Sequence, residues 1–142
     1  MAAVPVVLDS NVLVSGLRSR LGTSYRLLML LGGDRLRPVV TVPLVLEYER
    51  ALLDPAHGVP LSPGDIGKFL DFLVSVADRR RVHFLWRPGL RDPHDDMVLE
   101  AAVNGASRHI ITFNKRDFVG GERHGVRVVN PGEFLRLIGV TP

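Results

Sequence analysis

Apolar residues along this chain keep two rhythms that alternate from one end to the other. Val4 to Leu8 (VPVVL), Leu36 to Val42, Arg81 to Trp86 (RVHFLW), His109 to Thr112 and Val126 to Val129 are short, β-branched-rich runs. Unbroken runs of that length suit strands covered on both faces, as in a parallel sheet. Between them the spacing turns helical. Val12 to Leu17 predicts a short helix whose start Ser10 and Asn11 can cap. Thr23 to Leu31 predicts a second, stopped by Gly32-Gly33, and Pro43 to Leu53 a third, with proline at its first turn. Ser62-Pro63 opens a fourth, running to Ala77, on which Ile66, Phe69, Leu70, Leu73, Val76 and Ala77 share a stripe. A fifth begins at Asp95 or Asp96 and carries Leu99, Ala102, Val103 and Ala106. Asn130-Pro131 opens the last, with Phe134, Leu135 and Ile138. Strands alternating with helices predict an α/β sandwich on a mainly parallel sheet. With no repeat, low-complexity tract or linker, residues 1–142 read as a single domain.

The polar residues at the strand ends change the picture. In an open parallel sheet, ligands bind beyond the carboxyl ends of the strands. Asp9 follows the first strand, Glu47 lies on the helix after the second, Asp95 and Asp96 come after the third, and Asn114 and Asp117 follow the fourth. All of these fall on one rim. Clustered carboxylates repel each other unless a positive charge sits among them, and a hard divalent metal is the commonest such charge.

Composition narrows the setting. The 142 residues suffice to bury a core. No cysteine is present, which excludes disulfides and thiolate metal sites and suits a reducing compartment. No apolar run approaches the ~20 residues that cross a membrane, and no secretory signal opens the chain, so a soluble cytoplasmic protein is expected. The net charge of +3 is carried almost wholly by arginine, Lys68 and Lys115 being the only lysines. Arginine pairs well with phosphate. Arg18, Arg20, Lys115 and Arg116 lie nearest the acids in sequence and are the candidates for holding a nucleic-acid backbone. Arg79-Arg80-Arg81 reads as a solvated helix–strand junction. Phe84 and Trp86 read as strand core. The five histidines are scattered and read as structural or surface residues, with His94 the one placed to touch a substrate.

Taken singly, each acid has a plainer role. Asp9 suits a turn or cap, Asp95-Asp96 a helix start, Asp117 a surface pair with Lys115 or Arg116. Apolar neighbours at helical spacing do not separate Glu47 from Glu49. It is the shared rim that argues for a site. A phosphotransfer receiver would need its acidic pair after the first strand. A haloacid-dehalogenase-like phosphatase would need Asp-x-Asp there, where this chain has Asn11.

At these residues the chain resembles the PIN-domain family, in particular VapC-like toxins of bacterial and archaeal toxin–antitoxin pairs. VLDSNVLVSGL resembles the family's opening motif, TVPLVLEYERALL its second, DPHDDMVLEAA its third and ITFNKRDF its fourth. The resemblance selects Glu47 over Glu49 and Asp96 over Asp95. It implies a three-layer α/β/α sandwich and a metal-dependent endoribonuclease using Mg²⁺ or Mn²⁺. It implies Asp9, Glu47, Asp96 and Asp117 as the catalytic, metal-binding set, with Ser10, Asn11, Asp95 and Asn114 supporting them. An RNA substrate, an antitoxin partner, and a second copy of the chain are implied with it. One departure stands out. Many members carry aspartate where this chain has Asn114, which removes one negative charge and allows an alternative reading as a catalytically silent RNA- or protein-binding module.

Overall fold

The computed structural model describes residues 3–80, 93–104, 107–118 and 125–142, and within the helix that starts at Pro93 it describes side chains from Met97 onward. Among these residues five strands form one sheet: β1 (Val4–Leu8), β2 (Leu36–Val40), β3 (Asp78–Arg79), β4 (His109–Ile111) and β5 (Arg127–Val129), in the order β3-β2-β1-β4-β5. Every pairing is parallel. Among the described residues six α-helices alternate with them: α1 (Ser10–Arg18), α2 (Thr23–Leu28), α3 (Val42–Leu53), α4 (Pro63–Val76), α5 (Pro93–Asn104) and α6 (Pro131–Leu137). The α/β sandwich expected from the patterning is therefore the fold.

The central strand shows why its sequence is unbroken and apolar. Neighbouring residues of a strand point to opposite faces. Val6, Val7 and Leu8 are nonetheless all buried, so helices cover β1 on both sides. Around it the core gathers Leu13, Leu27, Leu36, Leu44, Tyr48, Leu73, Leu99, Ile110, Phe118 and Phe134. Tyr48 brings a hydroxyl into this interior and donates it to the Leu8 carbonyl at 2.5 Å, which meets the requirement that a buried polar group be paired.

Helix boundaries follow their caps. The Thr41 hydroxyl accepts from the Leu44 amide and starts α3, one residue before the predicted Pro43. Ser62 accepts from Asp65 and starts α4. Asn130 and Glu133 form a reciprocal capping box on α6. Two elements differ from expectation. Helix α2 stops at Leu28 rather than Leu31, and the chain turns through Gly32 at a φ of 85°, a conformation glycine adopts without steric cost. The third strand lies at Asp78–Arg79, ahead of the run predicted from Arg81. Arg79 thus belongs to the sheet edge while remaining exposed, and residues 81–86 lie outside the described residues.

The chain order across the sheet positions everything that follows. From β1 the chain moves outward through β2 to β3. It then returns to the other side of β1 for β4 and β5. The order reverses between β1 and β4, and in parallel sheets such a reversal opens a crevice at the carboxyl ends of those two strands. Among the described residues no helix is long and apolar enough to cross a membrane.

Close packing of α1 on α2 depends on Gly16. A Cβ there would run into the Leu28 side chain and lie 3.2 Å from the Ser24 carbonyl oxygen. Gly16→Val should therefore lower stability by about 1–3 kcal/mol, measured by urea unfolding. A variant as stable as the parent would show that the two helices can separate at no cost.

Candidate functional site: an acidic cleft at the strand reversal

The register of β1 on β4 sets the floor of the cleft. Val7 pairs with Ile110 and Leu8 with Ile111, and the Asp9 amide continues the ladder by donating to the Ile111 carbonyl at 2.9 Å. Asp9 and Thr112 consequently leave their strands side by side. The Thr112 hydroxyl donates to Asp9 Oδ2 at 2.7 Å. It also accepts from the Asn114 amide at 3.0 Å and from Asn11 Nδ2 at 3.3 Å. Asn11 Oδ1 in turn accepts from the Phe113 amide at 3.4 Å. One threonine hydroxyl ties the turn after β4 to the start of α1.

Asp9 stands at the N-cap of α1 yet makes no side-chain capping bond. The residue is 7% exposed. Burial raises its proton affinity above the ordinary carboxyl value, and the charges of Asp117 and Glu47 raise it further. Thr112 and the Ser10 amide, which donate to it, pull the other way. Tyr48, buried and close to the same charge, is raised well above the ordinary phenol range.

Glu47 is buried while Glu49 is exposed, so α3 turns Glu47 toward the cleft. Its carboxylate is held at two points by Arg50, with Nε donating to Oε2 at 2.8 Å and Nη2 to Oε1 at 2.6 Å. Together with Ser10, Asn11, Val14, Ser15, Arg18, His57, Asn114 and Asp117, these residues line an open cleft of about 400 Å³.

The structure thus brings Asp9, Glu47, Asn114 and Asp117 to one cleft, with Ser10 and Asn11 on its wall. Asp96 and Asp95 lie in the first turns of α5, and their side chains are outside the described residues, as is that of His94. Of the four basic residues expected near the acids, only Arg18 lines the cleft. Lys115 pairs instead with Glu133 at 2.9 Å. Arg20 and Arg116 are exposed elsewhere. Arg50 and His57 are additions that the sequence reading passed over. Arg50 had a legible signal, since a residue three positions after Glu47 shares its helix face. His57 had none; it reaches the cleft because a short 3-10 turn, Pro55–His57, folds back so that its Nδ1 meets the Ala51 carbonyl at 2.6 Å. His109 meets the structural expectation, packing edge-on against Phe134.

Among the described residues, no three acidic or histidine side chains converge closely enough to hold a metal ion unaided. Mg²⁺ needs no such cage, since it commonly binds one or two carboxylates and keeps several waters. Hard oxygen donors facing one another, with Asp9 destabilised as an anion by its neighbours, are the chemistry a divalent cation relieves. The residues present fit that group.

An α/β fold with a carboxylate-lined cleft at its strand reversal has its acids where ligands bind in open parallel sheets. Comparison with family models narrows the class: the PIN domain matches residues 5–116, and the chain belongs to that family. PIN domains are generally metal-dependent nucleases. No curated protein matches the chain.

The raised proton affinity of Asp9 has a stability consequence with a definite sign. Below the ordinary carboxyl range the group is protonated in both folded and unfolded chains and costs nothing. As pH rises through its raised folded value, ionisation opposes folding. Asp9→Asn should therefore stabilise the metal-free protein at neutral pH, seen as a rise in Tm. The gain should vanish in acid. Calorimetric melts across pH check this, and a lower Tm for the variant at neutral pH would mean that the Thr112 and Ser10 bonds outweigh the burial.

Proposed function

We propose that this chain is a metal-dependent endoribonuclease and the toxin of a toxin–antitoxin pair. The observation that carries the reading is the burial of Asp9 at the strand reversal beside Glu47 and Asp117. Three acids on separate elements converge where the fold makes its crevice, at a cost in electrostatic energy that packing alone does not require. Such a cost is characteristic of functional sites.

Hydrolysis of a phosphodiester adds water across the P–O3′ bond. It leaves a 5′-phosphate on one fragment and a 3′-hydroxyl, which takes up the proton, on the other. A bound Mg²⁺ or Mn²⁺ supplies positive charge against the phosphate and a water of lowered pKa. Asp9, Glu47, Asp117 and Asp96 are the residues assigned to hold it. Thr112, Asn11 and the Ser10 amide orient the Asp9 carboxylate. Asn114 contributes a neutral amide where the common family form has a charged acid, which favours fewer bound cations. Arg18, on the cleft wall, is assigned to the RNA backbone. Base selection belongs to the surrounding loops and arginines, as in RNA recognition generally. An antitoxin that fills the acidic cleft, a second copy of the chain as dimer partner, and a cytoplasmic location complete the reading.

A catalytically silent binding module has two observations in its favour: Asn114 in place of an acid, and Glu47 already neutralised by Arg50. Cleavage separates the two. Wild-type protein with Mn²⁺ should cut single-stranded RNA to 5′-phosphate ends, and Asp9→Asn should be slower by about 10²–10³-fold or more. Chelation should stop the wild type. An Asp9→Asn variant with full, metal-dependent activity would remove Asp9 from the chemistry, and a wild type that binds RNA without cutting it would establish the silent module. Mn²⁺ at about 100 times its Kd should also stabilise the wild type by roughly 2.7 kcal/mol, a shift in thermal unfolding that Asp9→Asn should lose in large part.

A further inference from the structure

Helix α3 ends at a residue that deprives one of its carbonyls of a partner. Were the helix to continue, the Ala51 oxygen would accept from the amide four residues on. That residue is Pro55, which has no N–H. The 3-10 turn Pro55–His57 supplies a substitute: the His57 amide donates to the Asp54 carbonyl, and the His57 ring places Nδ1 2.6 Å from the Ala51 oxygen. A carbonyl oxygen only accepts, so Nδ1 carries the proton. In the neutral ring this fixes the tautomer and leaves Nε2 as a lone pair.

That lone pair belongs to a residue on the wall of the acidic cleft. Among the described residues, Asp54 Oδ2 is the carboxylate oxygen that approaches Nε2, and at 3.9 Å it lies beyond hydrogen-bond reach. The other Asp54 oxygen is held by the Ala56 amide at 2.9 Å. Nε2 is thus the ring atom left for a ligand. A nucleic-acid backbone presents acceptors almost everywhere, in its phosphate, ester and sugar-ring oxygens, and a lone pair repels all of them. The one donor such a backbone can offer is the ribose 2′-hydroxyl, which DNA lacks.

We propose that His57 Nε2 accepts a hydrogen bond from a ribose 2′-hydroxyl of the bound strand and makes the cleft prefer RNA to DNA. The inference rests on the nuclease reading of the cleft and adds its sugar-specificity residue. Capping and contact are one arrangement, because the proton that closes the end of α3 is the one that keeps Nε2 bare. Cleft carboxylates also accept hydrogen bonds, but they are assigned to the cation and their charge repels the strand. A neutral imidazole accepts without that repulsion.

Binding measurements without a cleavage step test it. Fluorescence anisotropy in Ca²⁺, with a denaturing gel to verify intact strands, compares a short single-stranded RNA with the same sequence bearing 2′-fluoro sugars, which keep the ribose pucker but lose the donor. Wild type should bind the RNA about 3- to 10-fold more tightly. His57→Asn puts an amide where Nδ1 stood and nothing at Nε2, so it keeps the α3 cap, which circular dichroism melts verify. That variant should bind both strands equally, at the wild type's affinity for the fluoro strand. The ¹⁵N resonance of Nε2 in wild type, which needs no variant, should shift on adding RNA and far less with the fluoro strand. A loss of the same size on both strands in His57→Asn would overturn the proposal in favour of a phosphate contact from a protonated ring. An undiminished preference for RNA in that variant, or an Nε2 resonance that responds alike to both strands, would leave His57 as a helix cap alone. Failure of the nuclease reading would look different: wild type with Mn²⁺ would cut no RNA while the His57 measurements came out as expected.

Discussion

A carboxylate buried at the end of the central strand constrains everything around it. Asp9 cannot be displaced toward solvent, because its amide completes the ladder on Ile111 and its neighbour Leu8 is locked into the core. The surroundings have adapted to it. Thr112 supplies a hydroxyl, the α1 N-terminus supplies an amide, and Tyr48 spends its own hydroxyl on the Leu8 carbonyl, where its raised proton affinity keeps it neutral. Asp117 and Glu47 work against the charge rather than for it. A fold selected for stability alone would place a neutral side chain here, and such tension is common where proteins carry out chemistry.

Glu47 and Arg50 resolve the same tension differently. A buried acid with no partner costs several kcal/mol, so the chain supplies a cation of its own from the next turn of α3. That cation is half-exposed at the mouth of the cleft. The cleft therefore combines an acid whose charge is merely tolerated with one whose charge is covered.

Much of this was legible beforehand, for identifiable reasons. Strand and helix positions followed from the switch between unbroken apolar runs and helical spacing. Pro43, Ser62-Pro63 and Asn130-Pro131 placed three helix starts within a residue or so. Among the described residues, the reading missed the strand Asp78–Arg79, which has no apolar character; the run expected from Arg81 to Trp86 lies outside them. An edge strand is held by backbone pairing with β2, which leaves no hydrophobic pattern to read. Arg20, Lys115 and Arg116 lie close to the acids in sequence but not on the cleft, because Glu133 on α6 captures Lys115 and the turns aim the others outward.

The sequence by itself determined that this is an α/β chain whose acids follow its strands, since periodicity and local capping are properties of neighbouring residues. Only the tertiary structure decided that β4 returns to lie against β1. That one long-range pairing, made by residues about a hundred positions apart, puts Thr112 on Asp9 and Asp117 opposite Glu47. It also chose Glu47 over Glu49, because the direction in which α3 rests on the sheet is a matter of packing and not of spacing. Local chemistry writes which residues are available; chain crossing decides which of them meet.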